Sequence, residues 1–358
     1  MRNATVLAIS LLTILATACS AADVAQDDSE AASSEVRASK VVQAMDVTRV
    51  VSNTSGAARL DPNMKNAWGI TFNPSNGASW VSNAGSGTST VYDAKGKLLL
   101  TVAMPGGDGP TAQVFNSGTG FHGDKFITVS EAGNIMGWQS GTTSTVRAHS
   151  DNASYKGAAI AGDKLYAANF KSGRVDMYDG SYRLQACSGG FIDASMPHGF
   201  APFNVWEYEG YLFVSYAQPD AELHDDVKGA GHGFINVFDT NGNLKQRLVS
   251  RGPLNSPWGM AITEEKVGNL AKETLLVGNF GDGRINAFAL TDADGGGFHG
   301  KHLGALGDAS SKPLVIDGLW GLANDPSKQL WFTAGPNGEE NGLLGRLSIH
   351  RAAPVGGY

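Results

Sequence analysis

The chain has 358 residues, and its composition favours a globular protein built from short elements. Its 47 glycines and 13 prolines exceed average usage, which argues against long helices, while an apolar share of 42% can fill a large core. The formal net charge is -7 and no long run of lysine or arginine occurs. Binding to nucleic acid or to an anionic membrane surface is therefore not expected.

The first residues have the features of a secretion signal. Arg2 gives a positive start, and residues 6–18 form an apolar run that is too short to span a bilayer. Two processing routes remain open: cleavage after Ala18 by the ordinary signal peptidase, or cleavage before Cys19 with lipidation of that cysteine. The second is favoured. We therefore expect an extracytoplasmic protein, and a membrane-anchored lipoprotein more than a freely secreted or periplasmic one.

The segment that follows is rich in alanine, serine and acidic residues and has no apolar period, so it is predicted to be a flexible tether. Once Cys19 is removed or lipidated, Cys187 has no partner for an intramolecular disulfide, and we expect it to be a small buried side chain. The expected organisation is a signal peptide (1–18), a tether (19–44), a folded domain (45–350) and a C-terminal tail (351–358).

One pattern of short stretches recurs along residues 45–350. Each unit has an apolar stretch with a glycine, a second alternating stretch that ends on a polar residue, a glycine turn and a third stretch. The clearest copy opens with Trp258-Gly259 and continues with Leu275-Leu276-Val277-Gly278-Asn279. Six units are indicated by the ends of the second stretches, at Asn83, Glu131, Asn169, Tyr216, Asn279 and Thr333.

Period-two stretches separated by glycine turns predict antiparallel hairpins, so each unit is interpreted as a four-stranded sheet. A lone sheet cannot bury both faces, whereas six sheets closed around an axis each pack against two neighbours. The predicted fold class is therefore all-β, a six-bladed β-propeller. Residues 47–51 alternate as a strand and are predicted to close the last blade beside residues 343–349. A β-sandwich, the competing architecture, does not account for six similar units.

In a propeller, the loop that enters each innermost strand opens on the same face as the loop that leaves the second strand. Two sets of side chains should therefore converge on one mouth, rich in amides and poor in charge. The candidates for binding a ligand there are Asn83, Glu131, Lys156, Asn169, Asn204, Tyr216, Asn255, Trp258, Asn279, Asp317 and Trp320. Asn66, Trp68 and Asn116 are expected in the same set, at the first strands. The recurring tryptophans are more simply interpreted as core packing than as a stacking surface for a ligand.

A long insertion, residues 217–231, leaves a second strand and is predicted to form a lid over this mouth. It carries His224, Asp225 and Asp226, which are adjacent in sequence and so diverge in an extended loop. A solvated acidic lid is favoured over a separate metal site.

Several longer motifs resemble a bacterial family of secreted β-propellers. Among them are Ala201-Pro202-Phe203-Asn204-Val205, Leu254-Asn255-Ser256-Pro257-Trp258-Gly259 and Ile316-Asp317-Gly318-Leu319-Trp320-Gly321. The family is similar to NHL-repeat proteins and is often associated with the PEP-CTERM sorting system, and the resemblance spans about residues 45–350. It implies the propeller fold, but this fold hosts lactonases, lyases and scaffolds, so it implies no single function.

Two functions remain open. The first, slightly favoured, is a non-catalytic propeller that binds a small-molecule ligand or a cell-envelope protein at its mouth and meets the membrane only through its lipid anchor. The second is a hydrolase, lactonase or lyase that uses a divalent cation such as calcium. In that case Glu131 and Asp317 would supply negative charge, and Asn169 and Asn279 neutral oxygens. The sequence makes no cofactor certain and indicates no catalytic residue.

Overall fold

The computed structural model describes residues 40–106 and 109–351. The expected signal peptide, Cys19 and most of the tether and tail lie outside these residues. The described part is built almost entirely from strands, with two short 3-10 turns, η1 (Ala84–Ser86) and η2 (Phe121–Gly123). No helix in it is long and apolar enough to cross a membrane.

The strands run in chain order as follows. The first are β1 (Val41–Ser52), β2 (Arg59–Leu60), β3 (Ala67–Phe72), β4 (Ser79–Asn83), β5 (Thr88–Tyr92) and β6 (Leu98–Ala103). The next are β7 (Pro110–Phe115), β8 (Phe126–Ser130), β9 (Asn134–Trp138), β10 (Thr145–His149), β11 (Tyr155–Ala161), β12 (Lys164–Asn169), β13 (Arg174–Tyr178) and β14 (Leu184–Gln185). Then come β15 (Ala201–Tyr208), β16 (Tyr211–Ala217), β17 (Phe234–Asp239), β18 (Leu244–Ser250), β19 (Pro257–Ile262) and β20 (Thr274–Asn279). The last are β21 (Ile285–Asp292), β22 (Phe298–Gly307), β23 (Leu319–Asn324), β24 (Leu330–Ala334) and β25 (Leu343–Ile349).

These strands form five sheets. Four of them contain four consecutive strands each, β3–β6, β7–β10, β11–β14 and β15–β18. Short turns such as the one at Gly77, with φ +70°, allow successive strands to pair antiparallel. The fifth sheet has nine strands, because β1 joins β19–β22 to β23–β25 and β2 pairs with β1. The all-β, multi-sheet architecture expected from the sequence is therefore confirmed.

The strand β1 starts before the boundary expected from the sequence. It pairs antiparallel with β25 from Met45, opposite Ile349, to Ser52, opposite Leu343. Residues 41–44, which the sequence assigned to the tether, are also strand and pair parallel with β22. Val42 packs there against the apolar cluster that fills the last two groups of strands. The sequence pattern missed this extension because its partners come from a distant part of the chain.

Burial falls from the first strands of each sheet to the last. Every residue of β4, β8 and β20 is buried, whereas β6 and β10 are largely exposed or partly buried. The inner strands are thus covered on both faces by neighbouring sheets. This explains why they are nearly continuous in apolar and small residues.

The first strands of the sheets contact one another in a closed cycle, β3 to β7, β11, β15, β19, β23 and back to β3. Glycines permit this approach. A Cβ on Gly69 would lie 2.5 Å from the Thr111 carbonyl oxygen, and one on Gly321 would lie 2.7 Å from that of Trp68. The recurrent Trp-Gly pairs therefore mark where first strands pack closely side by side.

Cys187 differs from expectation. It is partly buried rather than fully buried, and its thiol donates to the carbonyl oxygen of Asn241 at 2.8 Å. The cause is that β14 has only two residues, after which the chain continues as a loop beside the Asn241 turn of the next sheet.

Candidate functional site

A β-bulge opens every first strand at the end where it enters its sheet. The pairing register shifts immediately after the first or second residue of β3, β7, β11, β15, β19 and β23. A bulge re-aims the side chain that it carries. The six bulged positions form what we call the hub, and they hold Trp68, Thr111, Lys156, Phe203, Trp258 and Trp320.

Aromatic side chains fill most of the hub. Trp68 and Trp320 stack with ring centroids 3.6 Å apart, and Trp258 meets both rings edge-on. Trp320 is 1% exposed and Trp258 is 4% exposed. Both were candidates for binding a ligand, but the structure places them in the core, since each is covered by aromatic neighbours. The alternative interpretation, core packing, accounts for their recurrence.

The residue that follows each second strand lies above the hub. The backbone N–H groups of Ala84, Glu131, Phe170, Phe280 and Gly335 donate to the residues that precede the first strands, Asn66, Gly109, Ser154, Ser256 and Gly318. We call this end of the hub the mouth. It is built by one repeated backbone hydrogen bond, which fixes which side chains face inward.

Lys156 is the charged member of the hub. It is 1% exposed, and its Nζ lies 5.3 Å from the Trp68 ring centroid and 5.9 Å from that of Phe170. The ammonium donates to Glu131 and lies 3.8 Å from Oδ1 of Asp225. Burial of an ammonium group without such partners costs free energy. The lysine therefore depends on these two carboxyl groups, where an apolar side chain would need none.

Two further carboxyl groups, those of Asp226 and Glu339, lie near Lys156 or its partners. Oε2 of Glu339 accepts a 2.6 Å hydrogen bond from Asn66, whose Oδ1 accepts from the indoles of Trp68 and Trp320. Burial raises the pKa of Glu339, and the nearby charges of Glu131 and Asp225 raise it further, against the opposing effect of Asn66. Burial also raises the pKa of Asp226. The mouth therefore contains two carboxyl groups, those of Asp226 and Glu339, that hold a proton more readily than usual.

The loop between β16 and β17, residues 218–233, contains most of the predicted insertion and lies beside the mouth; we call it the lid. Asp225 lies beside Lys156, and the Nζ of Lys228 lies 4.0 Å from the centroid of the Phe280 ring. The backbone N–H of Gly229 donates to Oδ1 of Asn255 at 2.8 Å, so Asn255 holds the lid to the start of β19. His224 and Asp225 are exposed and Asp226 is partly buried.

The asparagines expected to ring the mouth point instead into their own sheets. Asn83 donates to Thr90, Asn169 to Asp176, and Asn279 to the carbonyl oxygen of Pro253. They are the last residues of their strands, whereas Glu131 is one residue beyond β8. A shift of one residue moves a side chain to the other face, so Glu131 reaches the mouth and these amides do not.

Four other expected mouth residues lie elsewhere or only at the rim. Asn204 is inside β15, where its amide donates to the carbonyl oxygen of Trp258, and Tyr216 is buried between two sheets. Asn116 follows β7 at the opposite end of the strand, because it pairs with Lys125 ahead of β8. Asp317 is exposed, and its carboxylate accepts from the backbone of Asn337 in the loop that carries Glu339.

The charged side chains that the structure groups near the mouth differ from the expected calcium ligands. Among the described residues, the group whose ligand atoms lie within 4.8 Å of one another is Glu131, His224 and Asp225, without Asp317. Asn169 donates to the carbonyl oxygen of Asn152 and Asn279 to that of Pro253, in the loops that precede β11 and β19. Glu131 and Asp225 also contact the Lys156 ammonium, which already supplies positive charge to both.

Sequence reasoning missed Phe170, Phe280, Lys228 and Glu339. The pairs Asn169-Phe170 and Asn279-Phe280 repeat at one position of the pattern, so the two phenylalanines could have been found with a register one residue later. Glu339 lies in a loop that leaves a second strand, β24, and thus obeys the rule used for the lid. Lys228 had no signal beyond its place in the lid.

A separate cavity of about 400 Å³ lies at the other end of the first strands, lined in part by Thr71, Gln113, Trp206, Met260 and Asn324. The amide of Gln113 is turned away from it, since its Oε1 accepts from Ser89 between two sheets. This end carries fewer charged groups than the mouth, so the mouth is the better candidate site.

No family model matches the chain. Two proteins of Acanthamoeba polyphaga mimivirus are similar in sequence. Uncharacterized protein R648 is 30% identical over 336 residues, which cover 86% of this chain and 81% of that protein. Uncharacterized protein L690 is 30% identical over 336 residues, which cover 86% and 87% respectively. These relatives are viral, so the resemblance to a bacterial, PEP-CTERM-associated family stays a prediction.

Several solved structures share the fold at low sequence identity. Virginiamycin B lyase from Staphylococcus aureus has a TM-score of 0.52 at 9% identity, over 86% of this chain and 99% of that one. The soluble aldose sugar dehydrogenase of Escherichia coli gives 0.54 at 13%, over 86% and 100%. A protein of unknown function from Bacteroides thetaiotaomicron gives 0.55 at 11%, over 86% and 76%. The structural neighbours are β-propeller proteins, which is the architecture expected here.

Proposed function

The chain belongs to the family of the mimivirus proteins R648 and L690, and from that premise we propose that it is a ligand-binding β-propeller whose site is the mouth of the hub. We infer six blades. The closed cycle of six first strands supports this number, as does the division of the nine-stranded sheet into β19–β22 and β23–β25 with β1.

The observation that carries the proposal is the buried charge of Lys156. Four of the other five hub positions hold large aromatic side chains, so packing alone favours an apolar residue there. A buried lysine beside Glu131 and Asp225 instead offers hydrogen-bond donors and acceptors in a water-poor setting. Such a group at a cleft between elements is a candidate binding site.

A small molecule fits the mouth better than a large partner. The lid contacts Lys156 of the hub through Asp225, and it contacts the surrounding mouth through Lys228 on Phe280 and Gly229 on Asn255. These contacts leave limited room above Lys156. Beneath the lid, Oγ of Ser256 and Oδ2 of Asp226 are buried, and the two side chains lie close together, since the Ser256 hydroxyl partly offsets the effect of burial on the pKa of Asp226. A polar ligand would satisfy both atoms.

A metal-dependent hydrolase, lactonase or lyase is the second candidate, and the grouping of Glu131, His224 and Asp225 favours it. A histidine nitrogen with two carboxylates is a donor set for zinc more than for calcium. A cation bound there would have to displace the Lys156 ammonium from Glu131. The buried lysine therefore supports ligand binding without a metal over the metal centre.

The test compares the wild-type protein with the double variant Lys156→Met/Glu131→Gln in a thermal-shift screen of small polar molecules. Met resembles the apolar residues of the other hub positions, so the variant is expected to fold as stably as the wild type. Compounds that stabilise the wild type should no longer shift the variant, whereas Lys171→Met, an exposed control nearby, should respond like the wild type. Binding that survives in the double variant contradicts the proposal. One equivalent of tightly held divalent metal in the purified wild type, lost in the double variant, supports the metal-dependent enzyme instead.

We also propose that the protein is extracytoplasmic and attached to a membrane by lipid at Cys19. The apolar run over residues 6–18 and the small residues before Cys19 support this.

A further inference from the structure

We propose that the mouth contains an ammonium-binding subsite formed by the Phe280 ring and the carboxyl groups of Asp226 and Glu339. In this structure Lys228 of the lid fills it, and an ammonium group of a ligand displaces that lysine. The inference rests on the proposed ligand-binding function and adds the chemical class of the ligand, an amine.

The Phe280 ring is held rigidly with one face towards the lid. Its other face stacks on Trp320 at a centroid distance of 3.8 Å, and the residue is 4% exposed. The Nζ of Lys228 lies 4.0 Å from the ring centroid, within the range of a cation–π contact. The chain itself thus shows that this surface accepts an ammonium group.

Two carboxyl groups, those of Asp226 and Glu339, lie near the same position. The charge of Lys228 acts on both Asp226 and Glu339, since it lowers the pKa of each against the larger effect of burial. If a ligand ammonium replaces the Lys228 ammonium, the two carboxyl groups keep a positive charge beside them. An anionic or neutral ligand would leave the two carboxyl groups without the positive charge that Lys228 supplies.

Lys228 can leave its position, whereas Lys156 cannot. Lys228 is exposed and lies on the lid, while Lys156 is 1% exposed and is fixed within β11. A lysine tethered near its own site competes with an effective concentration of roughly millimolar, so it would weaken binding of a free amine without abolishing it.

The buried polar atoms favour an amine that carries N–H groups. Oγ of Ser256 and Oδ2 of Asp226 are buried side by side beneath the lid, and each oxygen can accept a hydrogen bond. An alkylammonium ion has three N–H donors and a charge that suits the ring, whereas a quaternary ammonium has no donor for these atoms.

The test titrates butylammonium, 1-butanol and butyrate into the intact wild-type protein, Lys228→Met and Lys228→Arg, followed by tryptophan fluorescence, because Trp320 lies directly behind Phe280. Removal of the tethered competitor in Lys228→Met should tighten butylammonium binding by roughly tenfold, and Lys228→Arg should match the wild type. Neither 1-butanol nor butyrate should gain affinity.

A second variant guards against an indirect effect of the lid. In Lys228→Met/Phe280→Leu the gain should disappear, because the ring that receives the ammonium is absent. An unchanged or weaker affinity in Lys228→Met, or an equal gain for 1-butanol, overturns the ammonium subsite. If ligands still depend on Lys156 but not on Lys228, the subsite fails while the proposed function stands. If no ligand depends on Lys156, the proposed function itself fails.

Discussion

A lysine stands at the hub position where three other first strands, β3, β19 and β23, carry tryptophan. Lys156 is accommodated in the core because Glu131 and Asp225 face it and the rings of Trp68 and Phe170 lie beside its Nζ. A lysine at this one position makes part of an otherwise largely aromatic hub polar. The chemistry of the mouth therefore depends on a few side chains within a repeated frame.

Glu339 gives the stability of the protein a measurable pH dependence. Its folded pKa lies above its ordinary value of 4.5, so the stability that it contributes is complete below about pH 4.5 and is lost as the pH rises through the folded pKa. Glu339→Gln keeps the shape and cannot ionise. We expect the variant to gain stability relative to the wild type as the pH rises from 4.5 towards 7.5, measured by urea unfolding at each pH.

The neighbouring Glu340 provides the matched control. It is exposed and bonds Asn337 at the surface, so Glu340→Gln should follow the pH profile of the wild type. Parallel profiles for Glu339→Gln and the wild type would contradict the assignment of a buried, proton-retaining carboxyl group at the mouth.

At the scale of elements, the first strands meet through backbone rather than through side chains. Gly321 of β23 lies against the Trp68 carbonyl oxygen of β3, and this contact joins the last sheet to the first. The same arrangement recurs at Gly69 against β7. The hub is therefore narrow, and small changes in one first strand act on its neighbour.

Gly321→Ala should strain this junction. The added methyl group would lie 2.7 Å from a backbone oxygen, so the strands must separate, at a cost of about 1–3 kcal/mol or more. Urea denaturation measures the loss. Gly180→Ala is the control, because its Cβ would find its nearest neighbour at 3.6 Å and should change stability little. Equal stabilities of the two variants would show that the strands do not pack as closely as described.

At the scale of the molecule, the two ends of the first strands differ in the groups that they carry. The mouth carries the lid and the charged groups. The opposite end carries instead the cavity lined in part by Thr71, Gln113 and Met260.

Cys19→Ala should release the protein from the membrane. The wild type, expressed from the full sequence in a bacterial host, should partition into a detergent phase and carry a lipid mass, since two acyl signals give stable anchoring. The variant should remain in the aqueous phase. A wild-type protein that is aqueous and cleaved after Ala18 would support the ordinary signal peptidase instead.

The sequence by itself determined the sheets. Alternation of apolar residues and glycine turns are local signals, so they indicated the strands, the repeated units and the closing role of β1 without knowledge of distant contacts. The lid was also predictable, because an insertion after a second strand must leave at the mouth. Of the candidate residues near the mouth, Asp225 was identified from this insertion. Glu131 was identified from the end of a second strand, and Lys156 and Asn255 from the starts of first strands.

Only the tertiary structure decided which side chains face the mouth. Each first strand bulges where it meets its neighbours, and the bulge, which depends on packing between distant segments, turns the hub residue inward. The same register places Phe170 and Phe280 inward and the preceding asparagines outward. A sequence period of two cannot distinguish these faces, since a shift of one residue exchanges them and the local pattern is equally satisfied by both.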